Sequence, residues 1–423
     1  MAEADPGVAR QRAEIDFSIF NPYDPDFVRD PYPTWNRLMD DYPVAWHRDM
    51  QAWMVTTHKY CFEALGSPKF STSYHDYKHA PPPRPESEWN EFDRAMEYSF
   101  TVVKPGEHMR LRKLTQPAFS RAVMDQIEDK IRDLIVQCFN DIGTPDEFNV
   151  ATDIAQRIPI PSIARMIGVP KEADDLFEHG LGFNLLRATN PLYPHEERME
   201  YVRGTLPGFR YLAEMVAEIR ADPSKGNGFM KTLVTTVDET GDCLTDWEIL
   251  AMMSALVAAG ADTVVDLHTV IIEALLSHPE QRQYLRENPQ AMEMAILEML
   301  RWGGQGKLGS TPRFPIEDTE LGGQLLGKGE TIVILNSTAW NDPRKWPDPR
   351  RLDFRRSQSG NIIFGAGPHF CIGLNLVKAQ GKIMLEEFEK RFPDAELVGE
   401  PEYDMSHFNA RRMSKLMVRT NLR

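Results

Sequence analysis

The chain has 423 residues, and 63 acidic against 48 basic side chains give it a net charge of −15 and an isoelectric point near 5.3. That balance excludes the concentrated basic surface that nucleic-acid phosphates require, and four scattered cysteines, Cys61, Cys138, Cys243 and Cys371, exclude a disulfide framework and fit a reducing cytosol. Met1 to Pro6 lack the basic and apolar regions of a secretion signal, and the longest nearly apolar run, Ile249 to Ala261, is too short for a membrane span, so no membrane anchor is expected.

Length alone allows roughly two or three domains. Asp30-Pro31-Tyr32-Pro33-Thr34 ahead of Trp35 to Met39 predicts a short capped helix, and Ala52 to Thr57 a strand. From about Ser71 to Val103 the pattern breaks down, and the proline run Pro81-Pro82-Pro83-Arg84-Pro85 predicts an extended, helix-free surface loop. Glu107 to Lys113 starts the next helix. His108 and Arg112 stand one turn apart on it, so two cationic groups share a face and can meet two carboxylates; a solvated basic helix start is the alternative. Helical patterns run from about Val123 to Asn140 and across 174–220. The second is interrupted at Asn190-Pro191-Leu192-Tyr193-Pro194, which predicts two helices and a mobile connection.

Thr245-Asp246-Trp247-Glu248 is a capping box opening a long apolar helix that reaches about Leu276. Asp262 and Thr263 are locally unfavourable in its middle. Threonine there can bond back to the preceding turn, and loosening beside Gly260 would make a groove. Ala259, Ala258 and Ala255 stand four, five and eight positions before Thr263 on the same face. They are either a close-packing surface or the wall of a pocket wide enough for a bulky apolar ligand. Gly303 to Gly309 is a glycine-rich stretch that either widens the opposite wall or forms a surface excursion. Glu298 and Arg301 are one helical turn apart, a spacing common among surface ion pairs. Asp318 to Gly323 and Lys328 to Val333 read as strands with turns.

Phe364-Gly365-Ala366-Gly367-Pro368-His369-Phe370-Cys371-Ile372-Gly373 sets one cysteine in a glycine-punctuated loop just before a helical run. Its glycines let the backbone fold back, so that N–H groups and the helix N-terminus point at the sulfur and favour a metal-bound thiolate. A lone cysteine is more commonly a small core residue, but the glycines, the aromatic residue and His369 point the other way. A dinucleotide reading fails because Phe370 occupies the place of the third glycine, and no C-x-x-C-H is present for covalent haem.

The loop fits F-x-x-G-x-x-x-C-x-G and resembles the ligand loop of the cytochrome P-450 family of haem-thiolate monooxygenases. Ala259-Gly260-Ala261-Asp262-Thr263 is similar to the family's oxygen-activation motif, with Val264 in place of the frequent second threonine. The resemblance implies a mainly α fold with small β-sheets, one domain over residues 1–423 with about 1–29 as an N-terminal extension, and haem b between the long helix and the cysteine loop. It implies Cys371 as axial iron ligand, pushing electron density toward O–O cleavage, and Asp262 and Thr263 organising proton delivery. His108, Arg112, Arg313 and His369 would neutralise the haem propionates, Phe364 would pack near the sulfur, and Glu298, Arg301 and Arg356 would form a structural cluster.

The implied activity is hydroxylation or epoxidation of a hydrophobic terpenoid, steroid or polycyclic substrate with O2, by a cytoplasmic monomer fed by a ferredoxin and its reductase. Arg110, Lys113 and Arg121 are the expected basic docking patch. A peroxide-using relative or a rearrangement enzyme of the same fold would not need Asp262 and Thr263; a non-enzymatic haem-thiolate sensor is the rival from another class.

Overall fold

In the computed structural model, residues 12–190, 193–304, 306–309, 311–407 and 409–421 are described. Met1 to Pro6, Pro191, Leu192 and Gln305 lie outside them. The element that positions everything else is the 32-residue helix Asp246–Ser277, started by the expected box. Glu248 N–H donates to Thr245 Oγ1 at 3.3 Å, and Thr245 N–H donates back to Glu248 Oε2 at 2.7 Å. By length and apolarity this helix matches a membrane span, longer than the run read from sequence, yet most of it is buried inside the molecule. Val257, Val264, Val270, Ile271 and Leu275 are among its buried side chains, each stabilising the core by roughly 1.5–3 kcal/mol. Helices Pro159–Ile167, Met292–Gly303 and Leu374–Arg391 pack around it.

The strands form a smaller layer. β1 (Glu14–Ile15) and β2 (Val44–His47) are parallel, β2 and β3 (Ala52–Val55) antiparallel, and β3 and β4 (Thr331–Ile334) parallel, in the order β1-β2-β3-β4. Trp46 lies opposite Trp53 in this sheet, and Val55 opposite Ile334. Residues 12–29 therefore contribute a strand to the sheet, and Ile15, Phe20, Phe27 and Val28 to its core. The 71–103 stretch departs from the helix-free expectation. Asn90 and Asp93 make a reciprocal cap, and a short helix, Glu91–Glu97, follows.

The Gly303 to Gly309 stretch is not a surface excursion in its described residues. Lys307 N–H donates to Asn409 O at 2.8 Å, Gly306 N–H donates to Ser337 Oγ at 2.8 Å, and Gly304 and Gly309 are buried. A Cβ on Gly309 would lie 1.6 Å from Ile334 O, so glycine is required by contact with β4.

Candidate active site

Cys371 lies in a tight reversal between Phe364 and the helix Leu374–Arg391, and its N–H donates to Phe364 O at 2.8 Å. Gly367, at φ +66°, needs the left-handed region, and a Cβ there would lie 2.9 Å from Leu65 O. Burial pushes the Cys371 thiol up, while the Gly373 N–H and the Arg112 guanidinium pull it down. The loop alone therefore does not favour the anion as expected from its glycines. Coordination to a metal ion deprotonates such a thiol outright.

Beside the cysteine, the fold brings together four nitrogen-bearing side chains from three segments. His108 and Arg112 come from the helix Pro105–Thr115, Arg313 from the approach to β4, and His369 from the cysteine loop. The rings of His108 and His369 lie 3.9 Å apart, and Thr72 Oγ1 is 3.4 Å from His369 Nε2. Burial, then the charges of Arg112 and Arg313, push His108 down to about 4. Burial, then His108 and the two arginines, push His369 down to about 3. Burial also pushes the 3 %-exposed Arg313 down to about 10. No carboxylate pairs with any of the four among the described residues, and Arg313 Nη1 finds only backbone oxygens, Thr311 O at 2.6 Å and Pro312 O at 3.4 Å. Buried cations are ordinarily paired. Two guanidiniums and two imidazole donors next to a cysteine fit a cofactor that brings two carboxylates of its own, as haem does. The imidazoles are suited to hydrogen bonding more than to the charge neutralisation expected from the sequence.

On the central helix, Ala258, Ala259 and Thr263 are exposed and Ala255 half-buried, although helices pack on either side. Their face is open between those helices and is not a helix-packing seam. The close-packing position is Gly260, where a Cβ would lie 2.8 Å from Ile163 Cδ1. Thr263 Oγ1 donates to Ala259 O at 2.7 Å, the expected back-bond, yet the helix continues unbroken through it. Asp262 is tied to Arg412 at 2.6 Å and to His407 at 3.4 Å. Burial alone would raise its carboxyl, but the His407 hydrogen bond and the Arg412 charge hold it at about 2.

Glu298, Arg301 and Arg356 meet as expected. Arg301 Nε and Nη2 each donate to Glu298 at 2.8 Å, and Arg356 Nε donates to Glu298 Oε1 at 3.0 Å. Gln358, which carried no signal in the sequence, adds a donor at 2.9 Å. His407, Arg412 and Thr72 were likewise not foreseen.

The expected docking patch is corrected. Arg110 pairs with Asp242, Glu248 and Glu107, and Lys113 with Asp238 and Glu239. The first two residues of the basic patch are neutralised by acids flanking the start of the central helix; Arg121 remains largely exposed, 3.9 Å from Asp125. Beside them a surface depression of about 700 Å³ is lined by Met109, Arg112, Gln116, Gly367, Pro368 and Asn375.

The family profile described as Cytochrome P450 matches residues 189–393. The chain is 29% identical over 378 residues to the cytochrome P450 monooxygenase PikC of Streptomyces venezuelae, covering 88% of this chain and 86% of that one. It is 28% identical over 385 residues to the epothilone C/D epoxidase of Sorangium cellulosum, covering 90% of each. The epothilone B-bound structure of cytochrome P450epoK superposes with a TM-score of 0.84 at 26% identity, over 96% of this chain and 100% of that one.

Proposed function

Because this chain belongs to the cytochrome P450 family of haem-dependent monooxygenases, we propose that it hydroxylates or epoxidises a bulky, largely apolar substrate with O2, drawing electrons from a ferredoxin and its reductase. The observation that carries this reading is the group of buried Arg313 and His108 with half-buried Arg112 and His369 beside Cys371, paired with no carboxylate among the described residues. Arg112 and Arg313 supply two positive charges for two propionates, and His108 and His369 supply hydrogen bonds. Cys371 would hold the haem iron through its sulfur, and Phe364 closes the loop around it by accepting the Cys371 N–H at its carbonyl.

Haem, when bound, supplies reductive activation of dioxygen and transfer of one oxygen atom to carbon. The protein's part is orientation, exclusion of water and proton handling. Thr263 Oγ1 spends its own proton on Ala259 O, so its lone pairs face the cleft as acceptors. Asp262 is the neighbouring acid that passes protons toward that oxygen. Glu298, Arg301, Arg356 and Gln358 hold the segment leading into the cysteine loop.

Ala255, Ala258 and Ala259 leave the cleft wide, which supports a polycyclic, macrocyclic, steroid or terpenoid substrate held by apolar contact. Epothilone handling supports the same size class: it appears in the name of a relative, the epothilone C/D epoxidase, and in a solved structure with epothilone B bound. The depression lined by Gly367 and Pro368 of the cysteine loop is the proposed docking surface for an electron donor. A cytoplasmic monomer agrees with this supply.

The test is to load the protein with haem, screen macrocyclic, steroid and terpenoid compounds for a spin-state shift, and turn over the hits with NADH, ferredoxin, reductase and isotopically labelled O2. One labelled oxygen atom in the product is expected. Spin shifts without product would favour a sensor, and product labelled only from added peroxide would favour a peroxygenase.

A further inference from the structure

Glu330 gathers three distant parts of the chain on one carboxylate. It stands one residue before β4 and is 8 % exposed. Trp53 Nε1, from β3, donates to Oε2 at 2.6 Å, and the Gly327 N–H donates to the same oxygen at 3.0 Å. Arg12 Nη2, just ahead of β1, donates to Oε1 at 3.2 Å, and Lys78 Nζ, from the 71–103 stretch, donates to that oxygen at 3.3 Å. Both cations also sit over Trp46, the Arg12 guanidinium at 4.5 Å and the Lys78 ammonium at 5.9 Å from the ring centre. Burial alone would raise the Glu330 carboxyl, but the Trp53 indole, the Gly327 N–H and the two cations hold it below its ordinary value.

The segment that ends at Lys78 begins at the cofactor side. Its first residues form a strand, Phe70–Ser71, antiparallel to Phe314–Pro315, with Ser71 opposite Phe314 and so beside Arg313. Thr72 follows, and its Oγ1, 3.4 Å from Nε2, is the one hydrogen-bond partner of the His369 ring among the described residues. Tyr74 and Tyr77 then rest against Phe314, with ring centres 6.5 and 5.5 Å away. At the far end the Lys78 N–H donates to Gly329 O at 2.9 Å. A Cβ on Gly329 would lie 2.8 Å from Lys78 N, so the two backbones approach this closely only because that residue is glycine. Residues 72–78 are therefore held at both ends, by Phe314–Pro315 and by Gly329 with Glu330, and the Gly329 N–H donates to Pro315 O at 2.8 Å, tying the two holds together.

Two cations that converge on one oxygen and one ring repel each other, and the carboxylate between them is what makes the arrangement favourable. We propose that Glu330 and Lys78 are positioning residues for the cofactor: Glu330 holds Lys78, Lys78 fixes the segment 72–78, and that segment keeps Thr72 against His369, so that the imidazole has one orientation. Arg12 fastens the N-terminal strand to the same acid but does not act on Thr72, because Lys78 keeps its partner when Arg12 is gone. This rests on the haem reading of the Cys371 site.

The experiment uses the haem-loaded full chain as Glu330→Gln, Lys78→Met, Lys78→Arg, Arg12→Met, Thr72→Val and the double variant Thr72→Val with Lys78→Met. Haem loss is followed optically as transfer to an excess of haem-free globin, and amide exchange over 12–16 and 71–78 is measured with and without haem. Glu330→Gln is expected to speed haem transfer about tenfold, the scale of one lost hydrogen bond to a charged group, and to quicken exchange in both segments. Lys78→Met should speed transfer about threefold, as a partly exposed ion pair allows, and quicken exchange in 71–78 alone. Lys78→Arg restores the pair and should match the parent in both readouts. Arg12→Met should match the parent in haem transfer and quicken exchange in 12–16 alone. Thr72→Val should itself speed transfer, and Lys78→Met should cost nothing further in that background. Unchanged transfer in Glu330→Gln or Lys78→Met, equal speeding by Lys78→Arg and Lys78→Met, faster transfer in Arg12→Met, or a full additional effect in the double variant would each overturn the proposal. If the parent takes up no haem while 71–78 still loosens in Glu330→Gln and Lys78→Met but not in Lys78→Arg, the haem reading fails and the fastening of the segment stands.

Discussion

Glu298→Gln changes one charge at a place with no water to compensate. Neither Glu298 nor Arg301 has exposed side-chain surface. The carboxylate accepts from Arg301 Nε and Nη2 at 2.8 Å, Arg356 Nε at 3.0 Å, Gln358 Nε2 at 2.9 Å and the Asp353 N–H at 3.2 Å. Glutamine keeps one acceptor oxygen and turns the other into a donor facing donors. Breaking a buried ion pair from one side costs about 3–5 kcal/mol. Arg301 keeps the Trp340 and Pro349 carbonyls at 3.1 and 2.8 Å, which puts the expected loss near the lower end, about 3 kcal/mol. Against a total of about 5–15 kcal/mol that is a large fraction. Urea unfolding followed by tryptophan fluorescence reads the loss. The carbon-monoxide spectrum of the reduced protein reports whether the cysteine loop loosens with it. A loss below about 1 kcal/mol refutes the claim that this cluster holds the approach to the cysteine loop.

Ala258→Phe should leave haem binding and the thiolate-type spectrum intact while weakening spin-shifting macrocycles or steroids by roughly tenfold or more, because the exposed alanine face becomes an obstruction; small aromatic ligands should bind as before, and equal binding of large ligands to both proteins removes the wide cleft. His268 is buried with no partner for either ring nitrogen among the described residues, and burial pushes it down to about 3. Between about pH 6.5 and that value the unfolded chain takes a proton that the folded chain refuses, so stability falls as pH drops, by about 2 kcal/mol at pH 5. His268→Met should therefore raise the urea midpoint at pH 5 relative to the parent and much less at pH 7.5; the same change at both pH values would show that the ring does not titrate this way.

What the sequence made legible was local. The capping box at Thr245, the i,i+3 pair Glu298 and Arg301, and the glycine spacing around Cys371 are each read within a few residues. All three formed locally, the pair at Glu298 with further donors from Asp353, Arg356 and Gln358. What it hid was paired at long range. Arg110 and Lys113 read as a basic surface because all their acidic partners except Glu107 lie 125–138 residues further on. Arg412 is 150 residues from Asp262, and nothing near either announces the pair. Gly260 was misread for a different reason. A helical glycine signals either a loosened turn or a close neighbour, and only the position of Ile163 decides between them.

The buried charges divide into two kinds, and the division argues for where the chemistry lies. Around Glu298 every hydrogen-bonding group is answered by the chain: one carboxylate meets two guanidiniums, an amide and a backbone N–H, and the guanidiniums' other donors meet backbone carbonyls. Such closure serves position and needs nothing from outside. Around Cys371, Arg112 and Arg313 bear the cost of burial without a paired carboxylate among the described residues, in a protein whose net charge is −15. Among the described residues no carboxylate pairs with either arginine, and an incoming group with two negative charges would answer both. On the cleft side the sense is reversed: Asp262 has more donors than it needs, all from one loop. Positive charge without acid beside the cysteine, and an over-anchored acid beside Thr263, are opposite imbalances. On the proposed function, the first would hold the cofactor and the second would govern a proton.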